Sequence, residues 1–141
     1  QIVRDVLSTR DVDAIYMHSD CVYSESTVQT LKEMDQYAPR GEDGHIFIAA
    51  IDGCSANIAL IREGSTDQAS GQPIPDFGSM VVEYIQKKLN GEVIEEGPVV
   101  QEGALWSPAQ LVMTDVGFQL YLSTTDISID NVDNPGLWGN Q

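Results

Sequence analysis

The feature that most constrains the fold is an apolar run that ends abruptly in a carboxylate and a glycine. Residues 45–51, His-Ile-Phe-Ile-Ala-Ala-Ile, are followed directly by Asp52 and Gly53. A run this short and this apolar is typical of a strand buried on both faces, as in a parallel sheet covered by helices. Ligands of open α/β sheets bind at the carboxyl ends of the strands. The run therefore predicts that Asp52 emerges at a ligand-binding edge.

A second segment ends in the same way. Residues 13–18 have the pattern of a strand and lead into Ser19 and Asp20. Two strands that end side by side in polar residues indicate a site for a polar ligand rather than a plain core. For Asp20 alone, a role as the N-cap of the following helix is an alternative. Asp52 differs, because Gly53 permits the sharp turn that frees its carboxylate.

Helical and strand patterns alternate over the first hundred residues. They predict helices at 2–9, 24–37, 55–63 and 75–89, with Ser55 as an N-cap, and strands at 14–18, 46–51, 68–71 and 98–105. Such alternation implies right-handed crossovers between parallel strands. The predicted fold class is α/β, with a doubly wound, mostly parallel sheet in three layers. From Trp106 onward the pattern changes, which predicts a tail that wraps another surface, anchored by Leu137 and Trp138.

The charge balance argues against two classes of partner. The 141 residues, one domain by size, include 22 acidic and 7 basic side chains and carry a formal charge of −15. Nucleic acid and anionic membrane surfaces both require clusters of Lys and Arg. No apolar stretch approaches the roughly 18 residues of a membrane-spanning helix. We therefore expect neither partner.

Cys21 and Cys54 each follow a predicted strand end closely. If the two strands are neighbours, their loops adjoin and a disulfide is geometrically conceivable. The alternative is two unpaired, partly buried thiols. Two cysteines do not settle the redox compartment by their number.

Motifs for metal binding and catalysis are missing from the sequence. The histidines and cysteines lack the spacing of a tetrahedral zinc site. A segment that starts like a calcium loop at Asp126 has Asn131 in place of the required glycine and Leu137 in place of the required glutamate. Neither a phosphate-binding loop nor a G-x-S-x-G elbow is present. We predict no metal, no cofactor and no enzymatic activity.

Gln72 is a further candidate for ligand binding, since it follows the third predicted strand and precedes a long helix. A neutral amide both donates and accepts hydrogen bonds, which suits a sugar hydroxyl. A solvated loop glutamine is the alternative.

The order of these segments resembles the C-terminal lobe of bacterial sugar-binding proteins of the ribose and galactose type. These are type I periplasmic binding proteins, the receptors of ABC importers, and sugar-responsive repressors share the lobe. The resemblance covers residues 1–105 in order and spacing. It rests on residues 13–20, 48–53 and 61–64, and on Gln72 before residues 75–78.

The resemblance implies a set of ligand-binding residues. Asp52 matches the aspartate that accepts hydrogen bonds from sugar hydroxyls, and Gln72 matches the amide of the next loop. Ser19 stands where the family usually has asparagine, which removes an amide donor and allows a ligand other than ribose or galactose. His18 is either a substitute contact or a packing residue at the strand end. Asp20 completes this group.

The resemblance also implies the domain organisation. Residues 1–105 would form the C-terminal lobe without its first strand–helix unit, and residues 106–141 would form the hinge crossing and a tail that packs on an absent lobe. Trp106 would then lie at the hinge and join the ligand site. We expect a fragment of a receptor whose two lobes close on the ligand. Its bare sheet edge favours homo-oligomers.

Three functions are compatible with these expectations. The first is a sugar-binding receptor of an ABC importer, with a monosaccharide or related polar molecule, the transporter permease and the missing N-terminal lobe as partners. The second is the effector-binding domain of a sugar-responsive transcription regulator, and the third is an enzyme that uses Asp52. The acidic charge favours the receptor. A receptor would be periplasmic or extracellular, with a lipoprotein anchor as one option.

Overall fold

In the computed structural model, which describes all 141 residues, the chain divides into two units. The first unit comprises Gln1–Gly71 and Asp126–Gln141, and the second comprises Gln72–Thr125. None of the helices combines the length and the apolar character that crossing a membrane requires.

The chain forms four α-helices and seven strands. The helices are α1 (Ile2–Leu7), α2 (Asp20–Glu33), α3 (Ser55–Glu63) and α4 (Ile74–Leu89), and a short 3-10 helix covers Trp138–Asn140. The strands are β1 (Ala14–Met17), β2 (Phe47–Asp52), β3 (Gln68–Gly71), β4 (Gly97–Val99), β5 (Ala109–Thr114), β6 (Gly117–Tyr121) and β7 (Thr125–Ile127).

The main sheet has the order β1-β2-β3-β7, and β1, β2 and β3 run parallel to one another. The predicted α/β class with a mostly parallel sheet is therefore confirmed. The predicted segments 55–63 and 68–71 coincide with α3 and β3, whereas α2 begins earlier than expected, at Asp20. Strand β1 lies at one edge of the sheet, and association through this edge stays a prediction.

The apolar run of β2 is buried on one face rather than on both. Ile48 and Ala50 are almost fully buried, whereas Phe47 is 44% exposed. Leu7 of α1 and Leu31 of α2 cover the buried face, where they form a core cluster with Met17, Ile48 and Ala50 of the strands. Within this unit, the expectation that neither strand face meets water is therefore wrong. An apolar run shows that a strand is hydrophobic, but it does not show which of the two strand faces other elements cover.

The predicted strand at 98–105 is wrong in extent and in pairing. Strand β4 covers only Gly97–Val99 and pairs antiparallel with β5, which in turn pairs antiparallel with β6. These three strands form a separate sheet within the second unit. Gly117, with a φ of +119°, directly follows the tight turn between β5 and β6. Local hairpin pairing therefore replaces a further parallel crossover.

The end of the chain packs within the first unit. Side chains of β7 and of the residues after it join α3 and β3 in a second core cluster, made of Ile58, Ile61, Ala69, Ile127, Val132 and Leu137. The sequence-based expectation placed this tail on an absent lobe and set a boundary at residue 105. Strand β7 lies next to β3 in the main sheet, and the boundary at residue 105 with a tail on an absent lobe stays a prediction.

The Asp67 carboxylate connects the start of β2 to residues of the loop that precedes it. Its carboxylate accepts hydrogen bonds from the backbone N–H of Ile48 at 2.7 Å and from Arg40 Nε at 3.1 Å. His45 Nε2 lies 3.0 Å from the same carboxylate. The Asp67 side chain is 7% exposed, so these partners replace water around a buried charge.

We expect Asp67→Ala to lower the free energy of unfolding by about 3 kcal/mol, because it leaves a buried N–H and a cation without their acceptor. Chemical denaturation monitored by circular dichroism measures this loss. The matched control is Asp133→Ala, whose carboxylate pairs with Arg62 but is 80% exposed. That change should cost less than about 1 kcal/mol, and equal losses in both variants would contradict the assignment.

Candidate functional site

The candidate site lies where β1 and β2 end. The two strands are parallel neighbours, so their carboxyl ends meet at one edge of the sheet. Ser19 lies two residues after the end of β1, and Asp52 is the last residue of β2. Ser19 Oγ donates a hydrogen bond of 2.6 Å to Asp52 Oδ2. The structure thus brings these two predicted residues together, and both are half-buried.

Asp52 has an unusual backbone conformation. Its φ is +112°, a region that L-amino acids other than glycine rarely occupy. Such a residue costs about 1–3 kcal/mol and persists only where its surroundings hold it in place. Trp138 contributes to this by donating a hydrogen bond of 2.8 Å from Nε1 to the Asp52 carbonyl oxygen. Strain of this kind is concentrated at ligand-binding sites.

Gly53 completes the turn and leaves no room for a side chain. Its φ is +81°, and a Cβ atom here would lie 2.6 Å from Ile127 Cδ1 and 3.3 Å from the Cα of Gly71. The turn therefore requires glycine both for its conformation and for the close approach of its neighbours.

The Asp20 carboxylate binds backbone groups of the same turn. It accepts hydrogen bonds from the backbone N–H of Gly53 at 2.7 Å, from that of Cys54 at 3.2 Å and from Asn57 Nδ2 at 3.2 Å. Asp20 is 1% exposed. A buried carboxylate with three nitrogen donors at the start of α3 caps that helix and offsets the cost of its own burial.

This geometry corrects the expected N-caps of α2 and α3. It is the first residue of α2 rather than its N-cap, which is Ser19, and its carboxylate caps the next helix along the chain. Both of its oxygens are engaged within the protein, so Asp20 positions the turn, and a ligand contact by Asp20 stays a prediction. The N-cap position of α3 is occupied by Cys54 rather than by the predicted Ser55.

The remaining predicted site residues have other surroundings. His18 is exposed and packs against the ring of Tyr23, with ring centroids 5.1 Å apart. Gln72 and Trp106 belong to the second unit. There, Trp106 is 3% exposed and donates a hydrogen bond of 3.1 Å from Nε1 to Asp76. Ligand contacts by His18, Gln72 and Trp106 stay predictions.

Two positioning residues were not predicted for the site from the sequence. Trp138 was expected to anchor the tail on another surface, and instead it holds the Asp52 carbonyl. Asn57 lies within α3, where it bonds Asp20 and accepts a hydrogen bond of 3.0 Å from Thr66 Oγ1. Asn57 is fully buried. An asparagine in a short helix pattern gives no sequence signal for such a role, whereas the tryptophan in a polar tail did signal an anchor.

Solved structures that share this fold include two binding proteins. The first is the substrate-binding protein of a sugar ABC transport system from Bordetella parapertussis 12822, with a TM-score of 0.67 and 14% sequence identity. The alignment covers 99% of this chain and 39% of that chain. The second is a galactofuranose-binding protein, with a TM-score of 0.60 and 16% identity, aligned over 93% of this chain and 36% of that chain.

These comparisons show the fold of part of a substrate-binding protein. The chain spans less than two fifths of the length of either structure that it matches. No protein-family model matches the sequence, and no curated protein matches it either.

The Asp20 contacts predict a large loss of stability on truncation. We expect Asp20→Ala to lower the free energy of unfolding by about 3 kcal/mol, because the N–H groups of Gly53 and Cys54 lose a buried charged acceptor. Urea denaturation measures the effect. Asp11→Ala, at an exposed position, is the control and should change stability by less than about 0.5 kcal/mol. A loss below about 1 kcal/mol for Asp20→Ala would contradict the role given to this carboxylate.

The strain at Asp52 predicts that its replacement by glycine stabilises the fold. Glycine adopts a positive φ without a steric penalty, so Asp52→Gly should raise the free energy of unfolding by about 1 kcal/mol despite losing the Ser19 contact. The control is Asp35→Gly at a φ of +55°, a left-handed conformation that aspartate tolerates. Thermal unfolding compares the two variants. A loss of stability in Asp52→Gly greater than that in Asp35→Gly would show that the turn is not strained.

Proposed function

We propose that this chain is part of a sugar-binding receptor of an ABC importer and that Asp52 binds the hydroxyl groups of the sugar. The observation that carries the proposal is the presentation of Asp52. Its carboxylate lies at the ligand-binding edge of a parallel sheet, on a strained turn that protein contacts hold in place. Ser19 occupies Oδ2, and no donor in the protein engages Oδ1.

The arrangement suits a neutral polyhydroxylated ligand. Ser19 restricts the rotation of the Asp52 side chain, so Oδ1 has a defined direction in which to accept a hydroxyl proton. A hydrogen bond to a charged acceptor contributes about 1.5–3 kcal/mol. Ser19 has a shorter side chain than the asparagine that is usual in the family, which leaves space and one fewer donor beside the carboxylate.

The two structural neighbours support the ligand class. One is described as the substrate-binding protein of a sugar transport system and the other as a galactofuranose-binding protein. We infer that the ligand here is a monosaccharide or a related polar molecule. The partners would be a second lobe and a transporter permease, and the protein would act outside the cytoplasmic membrane, as transport receptors do.

The proposal is tested on the complete receptor encoded by the natural gene. Isothermal titration calorimetry against a panel of pentoses and hexoses, in pyranose and furanose forms, should identify one tight ligand. Asp52→Asn should then weaken its binding about 10- to 100-fold, which corresponds to the loss of one charged hydrogen bond. Asp130→Asn, at an exposed position, is the matched control and should bind like the wild type.

Two outcomes would contradict the proposal. One is a complete receptor that binds no sugar of the panel, and the other is unchanged affinity in Asp52→Asn. Loss of binding in the Asp130→Asn control would also remove the specific assignment, since that change should leave the site intact.

The 141-residue chain by itself should bind the same sugar weakly or not at all. A two-lobed receptor encloses its ligand, so residues on one side of the cleft supply only part of the contacts. We expect the dissociation constant of this chain to exceed that of the complete receptor by at least about 100-fold, as two lost charged hydrogen bonds would require. Micromolar or tighter binding to the chain alone in calorimetry would contradict this.

A further inference from the structure

A pair of cysteines adjoins the turn that carries Asp52. Cys21 lies in the first turn of α2, and Cys54 precedes α3 directly. The two sulfur atoms lie within 4.8 Å of each other and of an oxygen of Asp20. The Cys21 residue is exposed, whereas Cys54 is buried. This adjacency follows from the sheet, because β1 and β2 are neighbours and both cysteines follow their ends.

The surroundings of the two sulfurs do not suit a metal ion. Oδ1 of Asp20 accepts hydrogen bonds from the Cys54 N–H and from the Cys21 thiol, and Oδ2 accepts from Gly53 and Asn57. A metal would have to displace these bonds to use the carboxylate as a ligand. Without Asp20, two sulfur ligands are left, which is fewer than the three or four protein ligands of a typical zinc site.

We propose that Cys21 and Cys54 are a disulfide-forming pair that links the start of α2 to the turn bearing Asp52. A disulfide needs sulfur atoms about 2 Å apart, so the two sulfurs, which lie within 4.8 Å of each other, must approach further on oxidation. After oxidation, the Asp20 carboxylate loses the thiol donor but keeps its three nitrogen donors. The cross-link is therefore compatible with the contacts that hold the turn.

The oxidation proceeds by exchange with a small or protein disulfide. The Cys21 thiolate, at the exposed position, attacks one sulfur of the donor and releases the first donor thiol. Cys54 sulfur then attacks the Cys21 sulfur of the mixed disulfide and releases the second. Both cysteines are oxidised, the donor disulfide is reduced to two thiols, and the two cysteine protons pass to the leaving groups.

The reaction should be slow at neutral pH. Burial raises the pKa of both thiols, and the Asp20 carboxylate raises them further. A raised thiol pKa lowers the thiolate fraction at neutral pH, so the rate of exchange should rise about tenfold for each pH unit between about pH 7 and 9.

The cross-link should stabilise the fold and tighten the turn. It closes a loop of about 30 residues, which in the chain-entropy description corresponds to an increase in melting temperature of about 10 °C for a chain of this size. The stabilised segment includes Asp52, so oxidation should also reduce hydrogen exchange at the amides of Gly53 and Cys54.

The test uses the full 141-residue chain, incubated with oxidised glutathione under native conditions and then freed of the reagent. We expect the free-thiol count to fall from two to zero in a monomer, peptide mapping to recover a Cys21–Cys54 link, and the melting temperature to fall by about 10 °C on reduction. Cys21→Ser, at the exposed position, is the control and should show no redox-dependent melting.

Three results would overturn the proposal. The first is two free thiols that persist after prolonged oxidation at pH 9. The second is a product cross-linked only between molecules through Cys21. The third is an oxidised monomer with a melting temperature at or below that of the reduced chain. Because none of these measurements involves a sugar, they are independent of the proposed receptor function.

Discussion

The candidate site depends on one buried carboxylate. Asp20 begins α2, yet its oxygens bind the backbone of the turn before α3 and the Asn57 side chain within that helix. This contact ties the ends of β1 and β2 to each other through their following helices. Without it, the amide groups at the start of α3 would be buried without partners, at a cost of about 1–3 kcal/mol for each. The neighbouring Asp52 could then leave its strained conformation.

Asp20 and Asp52 have different roles in the site because their environments differ. Asp20 is fully engaged inside the protein, where it holds the turn. Asp52 has one oxygen bonded to Ser19 and the other without a protein donor. Trp138 comes from the far end of the chain and fixes the Asp52 backbone. The end of the chain therefore contributes to the same turn, and its apolar side chains belong to a core cluster of the first unit.

Much of the fold could be predicted from the sequence because local patterns determine it. The apolar runs before Ser19 and Asp52 predicted β1 and β2, and Gly64 correctly indicated the end of α3. The pairing of the strands after residue 97 could not be predicted from such local patterns. Strand β4 pairs with a hairpin, and β7 joins the parallel sheet beside β3. Hydrophobic periodicity does not show which strand is the partner of another, either for the nearby pair β4 and β5 or for the distant pair β3 and β7.

The site residues at the strand ends could be predicted from the sequence, whereas the role of the buried carboxylate that supports them could not. Asp52 and Ser19 come directly after apolar strand patterns in the sequence, so these patterns alone placed them together. The contacts of Asp20 could not be predicted in this way. Its position suggested a ligand contact or a local cap, because the sequence does not show which helix a buried carboxylate faces. The positive φ of Asp52 is likewise a property of the assembled turn, although Gly53 indicated that a sharp turn occurs there.

A crystal structure of the complete receptor with its bound sugar tests the central claim most directly. We predict that Asp52 Oδ1 accepts a sugar hydroxyl at about 2.5–3.0 Å, with the Asp20 carboxylate still bonded to the amides of Gly53 and Cys54. A sugar bound elsewhere, or one held without any contact to Asp52, would contradict the account.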